Sequence, residues 1–206
     1  MFPRAHAEEV LVKLFPVVVL CMGCGGATSG PDDGGFLRFD AGASAEAAAD
    51  AGVAGDFATG VVSFDAGPCS GLGAAEMPSV VLGPPHGGGS SQGSTDVVSL
   101  GVGGSVVLSF APNGIVDGDG VDFVVFENAF WVSGNPNDVY AEPGEVSVSD
   151  DGVTWSTFPC TATAGNPPYG ACAGWHPVAS TYAPWPACGG DGFDLADLGV
   201  THARYV

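Results

Sequence analysis

Carboxylates at short spacing are the first residues of this sequence that could do chemistry. Asp117, Asp119 and Asp122 stand in DGDGVD, an alternation of acid and glycine that also occurs in calcium loops. No glutamate stands at the twelfth position, so an EF-hand pattern is absent. Glu127 follows inside VDFVVFENAF, where strand alternation puts it on the same face as Phe123 and Val125. A carboxylate on an apolar face is costly unless it is paired or bound to a metal. Three readings of Glu127 stay open: a pair with Arg204, a metal, or an open strand end. The expected metal ligands are Asp117, Asp119, Asp122 and Glu127, with calcium as the ion. Glu142, Asp194 and Asp197 are further oxygen donors. The competing reading of the Asp117 loop is a plain hairpin turn.

Two other groups bear on chemistry. HGGGSSQG, from His86 to Gly93, contains both HGGG and G-x-S-x-G. In esterases these lie on separate loops, and the serine precedes a helix. Here they overlap in a glycine-rich loop without a helical pattern after it, so Ser91 is not read as a nucleophile. Trp131, Tyr140, Tyr169, Trp175, Tyr182 and Trp185 lie in or near loop segments. Aromatics on loops can stack on sugar rings, and Trp131 and Trp175 are the expected ligand contacts; the alternative is that they cover a small core.

The chain around these residues has 206 residues, 34 of them glycine, with only 13% charged and 46% apolar residues. Short strand patterns recur between Gly, Pro, Asn and Asp clusters. SVVLSF puts Val106, Leu108 and Phe110 on one face, VDFVVFENAF is apolar on both faces, and EVSVS turns Val146 and Val148 inward. The expectation is an all-β domain over residues 61–206, a single β-sandwich or jelly roll. Before it, residues 24–60 are rich in Gly, Ala and Asp and read as a flexible tether.

Residues 1–23 read as a lipoprotein signal peptide. LFPVVVLCMG is about half the length of a spanning helix, and Gly23-Cys24 resembles a lipobox, with Cys21 where leucine is usual. Cys24 is the expected lipidated residue. Glu8 and Glu9 offset Arg4 and Lys13, which suggests that translation starts nearer Val10 or Val12. Removal of that segment takes two acids and two cations together, so the formal charge stays at −19. The remaining chain has no lysine. Such a charge repels nucleic acid and anionic headgroups and attracts cations. Cys69, Cys160, Cys172 and Cys188 form an even set for an oxidising compartment. The expected pairs are Cys160–Cys172 and Cys69–Cys188.

VSDDGVTW is similar to the Asp box of sialidase-type propellers, S-x-D-x-G-x-T-W, at Asp150, Gly152, Thr154 and Trp155. A propeller needs several copies, and this chain has one. The segment also resembles a hairpin of discoidin-like, galactose-binding-like domains. In both, the aspartate caps backbone N–H groups, glycine supplies positive φ and tryptophan packs beneath, so the stretch builds a fold rather than a catalytic site. More widely, LGVGGSVVLSF, IVDGDGVDFVVFENAF, AEPGEVSVSDDGVTW, GGDGFDLADLG and HARYV follow in an order that resembles a family of uncharacterised bacterial cell-surface lipoproteins with a discoidin-like sandwich. The resemblance implies that fold and a place on the outer membrane or cell surface. It also implies a further strand portion past Val206. The expected function is a lipid-anchored, non-catalytic binding module for glycans, assisted by calcium. A structural or adhesive module for a protein partner is the alternative, and a hydrolase is a third reading.

Overall fold

The computed structural model describes residues 10–13 (backbone only), 57–86, 89–162, 167–179 and 185–206. Cys24 and most of the expected leader and tether lie outside these residues. The described chain is strand-dominated, and its only helical elements are short 3-10 turns. Its strands are β1 (Val10–Lys13), β2 (Gly60–Asp65), β3 (Ser105–Ser109), β4 (Ile115–Val116), β5 (Phe123–Phe126), β6 (Phe130–Trp131), β7 (Val139–Tyr140), β8 (Ser147–Val148), β9 (Ser156–Thr157), β10 (Asp191–Phe193) and β11 (His202–Ala203).

Strand β5 is the centre. Its sequence, FVVF, has no polar side chain, and no residue of it is more than 1% exposed. A strand apolar on both faces must be covered on both. Phe123 and Val125 belong to the larger core cluster, while Val124 and Phe126 pack with Val97 and Cys188 in a smaller one. Along one edge β10 runs antiparallel, with Phe193 opposite Phe123. Along the other, the backbone of β1 runs parallel, with Val10 opposite Phe123. Phe123 stacks on Phe193 at 5.2 Å between centroids, and Phe158 meets Phe193 edge-on at 4.9 Å. Such pairs add about 0.5–1.5 kcal/mol beyond the area they bury.

The end of the described chain ties two hairpins together. β2 pairs with β3, and β8 pairs with β9. Between them, Leu108 and Val206 exchange backbone hydrogen bonds of 2.8 and 3.1 Å. On its other side, Ser149 N–H donates to Tyr205 O at 3.0 Å. The inward pattern of EVSVS holds, with Val146 at 3% and Val148 at 1% exposure. In SVVLSF, Leu108 and Phe110 are buried and Val106 is half-buried against them.

The VSDDGVTW hairpin is a turn, but its capping residue is Asp151 rather than Asp150. Asp151 Oδ1 accepts the N–H groups of Thr154 (2.7 Å) and Val153 (2.8 Å). Gly152 supplies the positive φ, at 73°. Asp150 faces away and meets His202 and Arg204. Trp155 is 37% exposed, so it edges a surface groove instead of packing beneath the turn.

Cys160 and Cys172 form the expected disulfide. The second expected pair, Cys69–Cys188, does not form. Cys188 is buried and packs under β5, outside any disulfide with Cys69, and Cys69 is disulfide-bonded elsewhere. The apolar face of β5 gives Cys188 a packing role that spacing does not reveal.

The Thr154 N–H, followed by the Val153 N–H, holds the Asp151 carboxyl down to about 2. That value is below the unfolded reference of about 3.9, so the charged form stabilises the fold above about pH 4 and the contribution is lost as pH falls towards 2. Asp151→Asn is therefore expected to have a lower urea midpoint than the parent at pH 7. The gap closes at pH 2, and denaturation at the two pH values checks it.

Candidate functional site

Buried carboxylates stand at both ends of β5. At its entry, Asp122 is 4% exposed. Its Oδ1 accepts Gly118 N–H and its Oδ2 accepts Leu195 N–H, both at 2.7 Å, which fixes the DGDG loop against the 3-10 turn Leu195–Leu198. Asp194 caps that turn through Ala196 N–H at 2.9 Å. Oxygens of Asp117, Asp122 and Asp194 lie within 4.8 Å of one another. Asp117 Oδ1 is buried without a hydrogen bond. Burial raises the Asp122 carboxyl, the two N–H donors oppose this, and Asp194 and Asp117 raise it further. Three convergent carboxylates form a hard-cation donor set. Of the expected ligands, Asp117 and Asp122 come together here, and Asp194 joins them. Asp119 is exposed and Glu127 is elsewhere, so neither is in this group.

At the exit of β5, Glu127 is 1% exposed, with Glu142 (6%) and Asp191 (4%) beside it. Glu127 Oε2 accepts Asn128 N–H at 2.9 Å, and Glu127 Oε1 has no hydrogen-bond partner. Tyr140 O–H donates to Glu142 Oε1 at 3.0 Å. Arg204 is not the partner of Glu127. Its Nε donates to Asp150 Oδ1 at 3.0 Å and Asp150 O at 2.8 Å on the surface. Full burial also removes the open-end reading. Burial first, then the negative charge of Glu142, pushes the Glu127 carboxyl well above the usual range, against the Asn128 N–H.

Asp191, at the start of β10, organises the next layer outward. Its Oδ2 accepts Gly174 N–H (2.7 Å) and Trp175 N–H (3.3 Å), and its Oδ1 lies 2.5 Å from His176 Nδ1. One buried carboxylate thus holds three successive residues. Trp175 Nε1–H donates to Cys172 O at 3.0 Å, beside the Cys160–Cys172 disulfide. Tyr169 meets the Trp175 ring edge-on at 5.8 Å.

These contacts form one wall of a cleft of about 780 Å³ lined by Trp131, Tyr169, Trp175, His176 and Trp185 among others. The two expected ligand residues, Trp131 and Trp175, therefore meet in one place. Trp131 arrives from the β6–β7 hairpin, where Phe130 stacks on Tyr140 at 5.0 Å. Tyr169, Trp185 and His176 also line it. His176 looks isolated in the sequence, and only the antiparallel return of β10 brings Asp191 to it. Tyr182 lies outside the described residues. In the HGGGSSQG loop, His86 Nδ1 faces Asp96 Oδ2 at 3.0 Å, and Ser94 Oγ donates to His86 O at 2.5 Å.

Two outcomes follow. Asp191→Ala leaves the Gly174 N–H buried without its acceptor, which costs about 1–3 kcal/mol. The Trp175 near-UV dichroism is expected to collapse with it, while a Trp155→Ala control keeps that signal. For Glu127, the unfolded chain ionises near pH 4.3 and the folded chain at a higher value. Stability from this group is thus present below about pH 4.3 and is lost as pH rises through the folded value. In chelator, Glu127→Gln should melt above the parent at pH 7.5 and with it at pH 4. Comparison with protein-family models, with curated proteins and with solved structures finds no match, so the functional reading stands on this geometry.

Proposed function

We propose that this chain is a lipid-anchored, non-catalytic binding module of a bacterial surface that takes glycans in the aromatic cleft. The observation that carries the reading is the convergence of Trp131 and Trp175, with Tyr169 and Trp185, on one open cleft of about 780 Å³. Concave sites of a few hundred Å³ or more, with aromatic walls and few polar groups, suit a ligand with apolar faces and polar edges, which is what a sugar ring offers. In this reading the fold is a discoidin-like β-sandwich, anchored through Cys24 and spaced from the membrane by residues 24–60. The Cys160–Cys172 disulfide supports an oxidising compartment. Calcium at Asp117, Asp122 and Asp194 fixes the loop entering β5, with the close oxygen spacing as its support.

The test is a glycan array followed by calorimetry. Trp131→Ala and Trp175→Ala are each expected to weaken binding by about tenfold, the equivalent of one lost stacking contact of about 1.4 kcal/mol. Trp155→Ala, in a separate groove, leaves affinity unchanged. An empty array, with retention of a surface protein by the same cleft, replaces this reading with the adhesive one.

A further inference from the structure

The acids at the exit of β5 point to a site separate from the Asp117 loop, and the inference does not depend on what the cleft binds. We propose that Glu127 and Glu142 form a second divalent-cation site, of calcium type, directly behind the Gly174–Trp175 wall of the cleft.

Three observations carry it. Glu127 Oε1 is buried and accepts no hydrogen bond, on a residue only 1% exposed. An oxygen in that position requires a cation, or a proton that itself finds an acceptor. A proton there would have to be shared with a neighbouring carboxylate, Glu142 or Asp191. Next, the charged groups found beside Glu127 are carboxylates, Glu142 and Asp191. Arg204, the only Lys or Arg with a described side chain, is held by Asp150. Finally, Gly174 lets both glutamates come close to one point of the backbone. It has φ +92°, and a Cβ there would stand 2.4 Å from Glu142 O and 3.0 Å from Glu127 Oε2. The carbonyl oxygen of Glu142 and the carboxylate of Glu127 therefore both lie against Gly174.

The donors choose the ion. They are carboxylate and carbonyl oxygens, with no thiolate among them, and His176 Nδ1 is directed at Asp191. That set suits calcium, which accepts irregular oxygen shells, better than zinc. Asp191 supplies negative charge nearby while its own oxygens hold residues 174–176. A cation between Glu127 and Glu142 would draw Gly174 inward and fix the Trp175 ring that follows it. The cleft wall would then be ordered by calcium rather than by packing alone. Binding displaces the Glu127 proton, so affinity rises with pH.

The full chain is titrated with terbium and then competed with calcium, with Trp175 as the sensitising group for luminescence. Asp122→Asn isolates the new site from the loop at the other end of β5. This variant is expected to bind terbium with sensitised emission that calcium displaces. Adding Glu127→Gln weakens binding by about tenfold or more, and the double variant's melt in chelator shows that it folds. If Asp122→Asn does not fold, the parent and Glu127→Gln are compared, with the cation stoichiometry falling by one. Equal affinity with and without Glu127, unchanged stoichiometry, or no terbium binding to the folded parent overturns the proposal.

Discussion

Complete burial of one four-residue strand is the constraint on which the rest depends. β5 presents Phe and Val to two apolar clusters at once, so neither face of it can carry a polar group. Polar residues are admitted only where it ends. Asp122 precedes it and Glu127 follows it, each at most 4% exposed. The strand therefore fixes the distance and direction between two acidic centres. Loops that reach either centre must return to β5 to do so.

The two ends are satisfied differently. Asp122 is held by two backbone donors, one from its own loop and one from the start of a 3-10 turn 73 residues later. It works as a clasp even without an ion. Glu127 has a single donor from its neighbour. Its surroundings are arranged by Asp191, which spends both of its oxygens on Gly174, Trp175 and His176. The cleft is thus built outward from the core: β5 places β10, β10 places Asp191, and Asp191 places Trp175. The disulfide adds a second anchor through Cys172, whose carbonyl receives the indole N–H.

The strands were legible because alternation over SVVLSF and EVSVS leaves one inward solution for each, and because VDFVVFENAF is apolar on both faces and must be covered on both. Trp131 and Trp175 were legible as candidates because large aromatics in loop sequence need a reason to be there. Their meeting was not, since they are 44 positions apart and are joined only through the pairing of β6 with β7 and of β5 with β10. The role of Asp191 was hidden for the same reason, as was the replacement of Asp119 and Glu127 by Asp194 in the first acidic group. The capping aspartate of VSDDGVTW was displaced by one residue, because two adjacent aspartates offer the turn the same chemistry. Cysteine pairing failed where parity was the only guide: Cys188 is taken up as an apolar residue beneath β5.

The pairing of Arg204 with Asp150 bears on which proteases can cut this chain. Downstream of residue 23, Arg38 and Arg204 are the only basic side chains long enough to fill the primary pocket of a trypsin-like protease. Arg204 has its guanidinium Nε on Asp150, two residues from the end of the sequence. A protease of that class has nothing to cut between Phe39 and Ala203. A cut after Arg38 would leave the cleft and both acidic centres whole. The scarcity of cations that gives the chain its charge thus also leaves residues 39–203 without a cleavage site for such proteases.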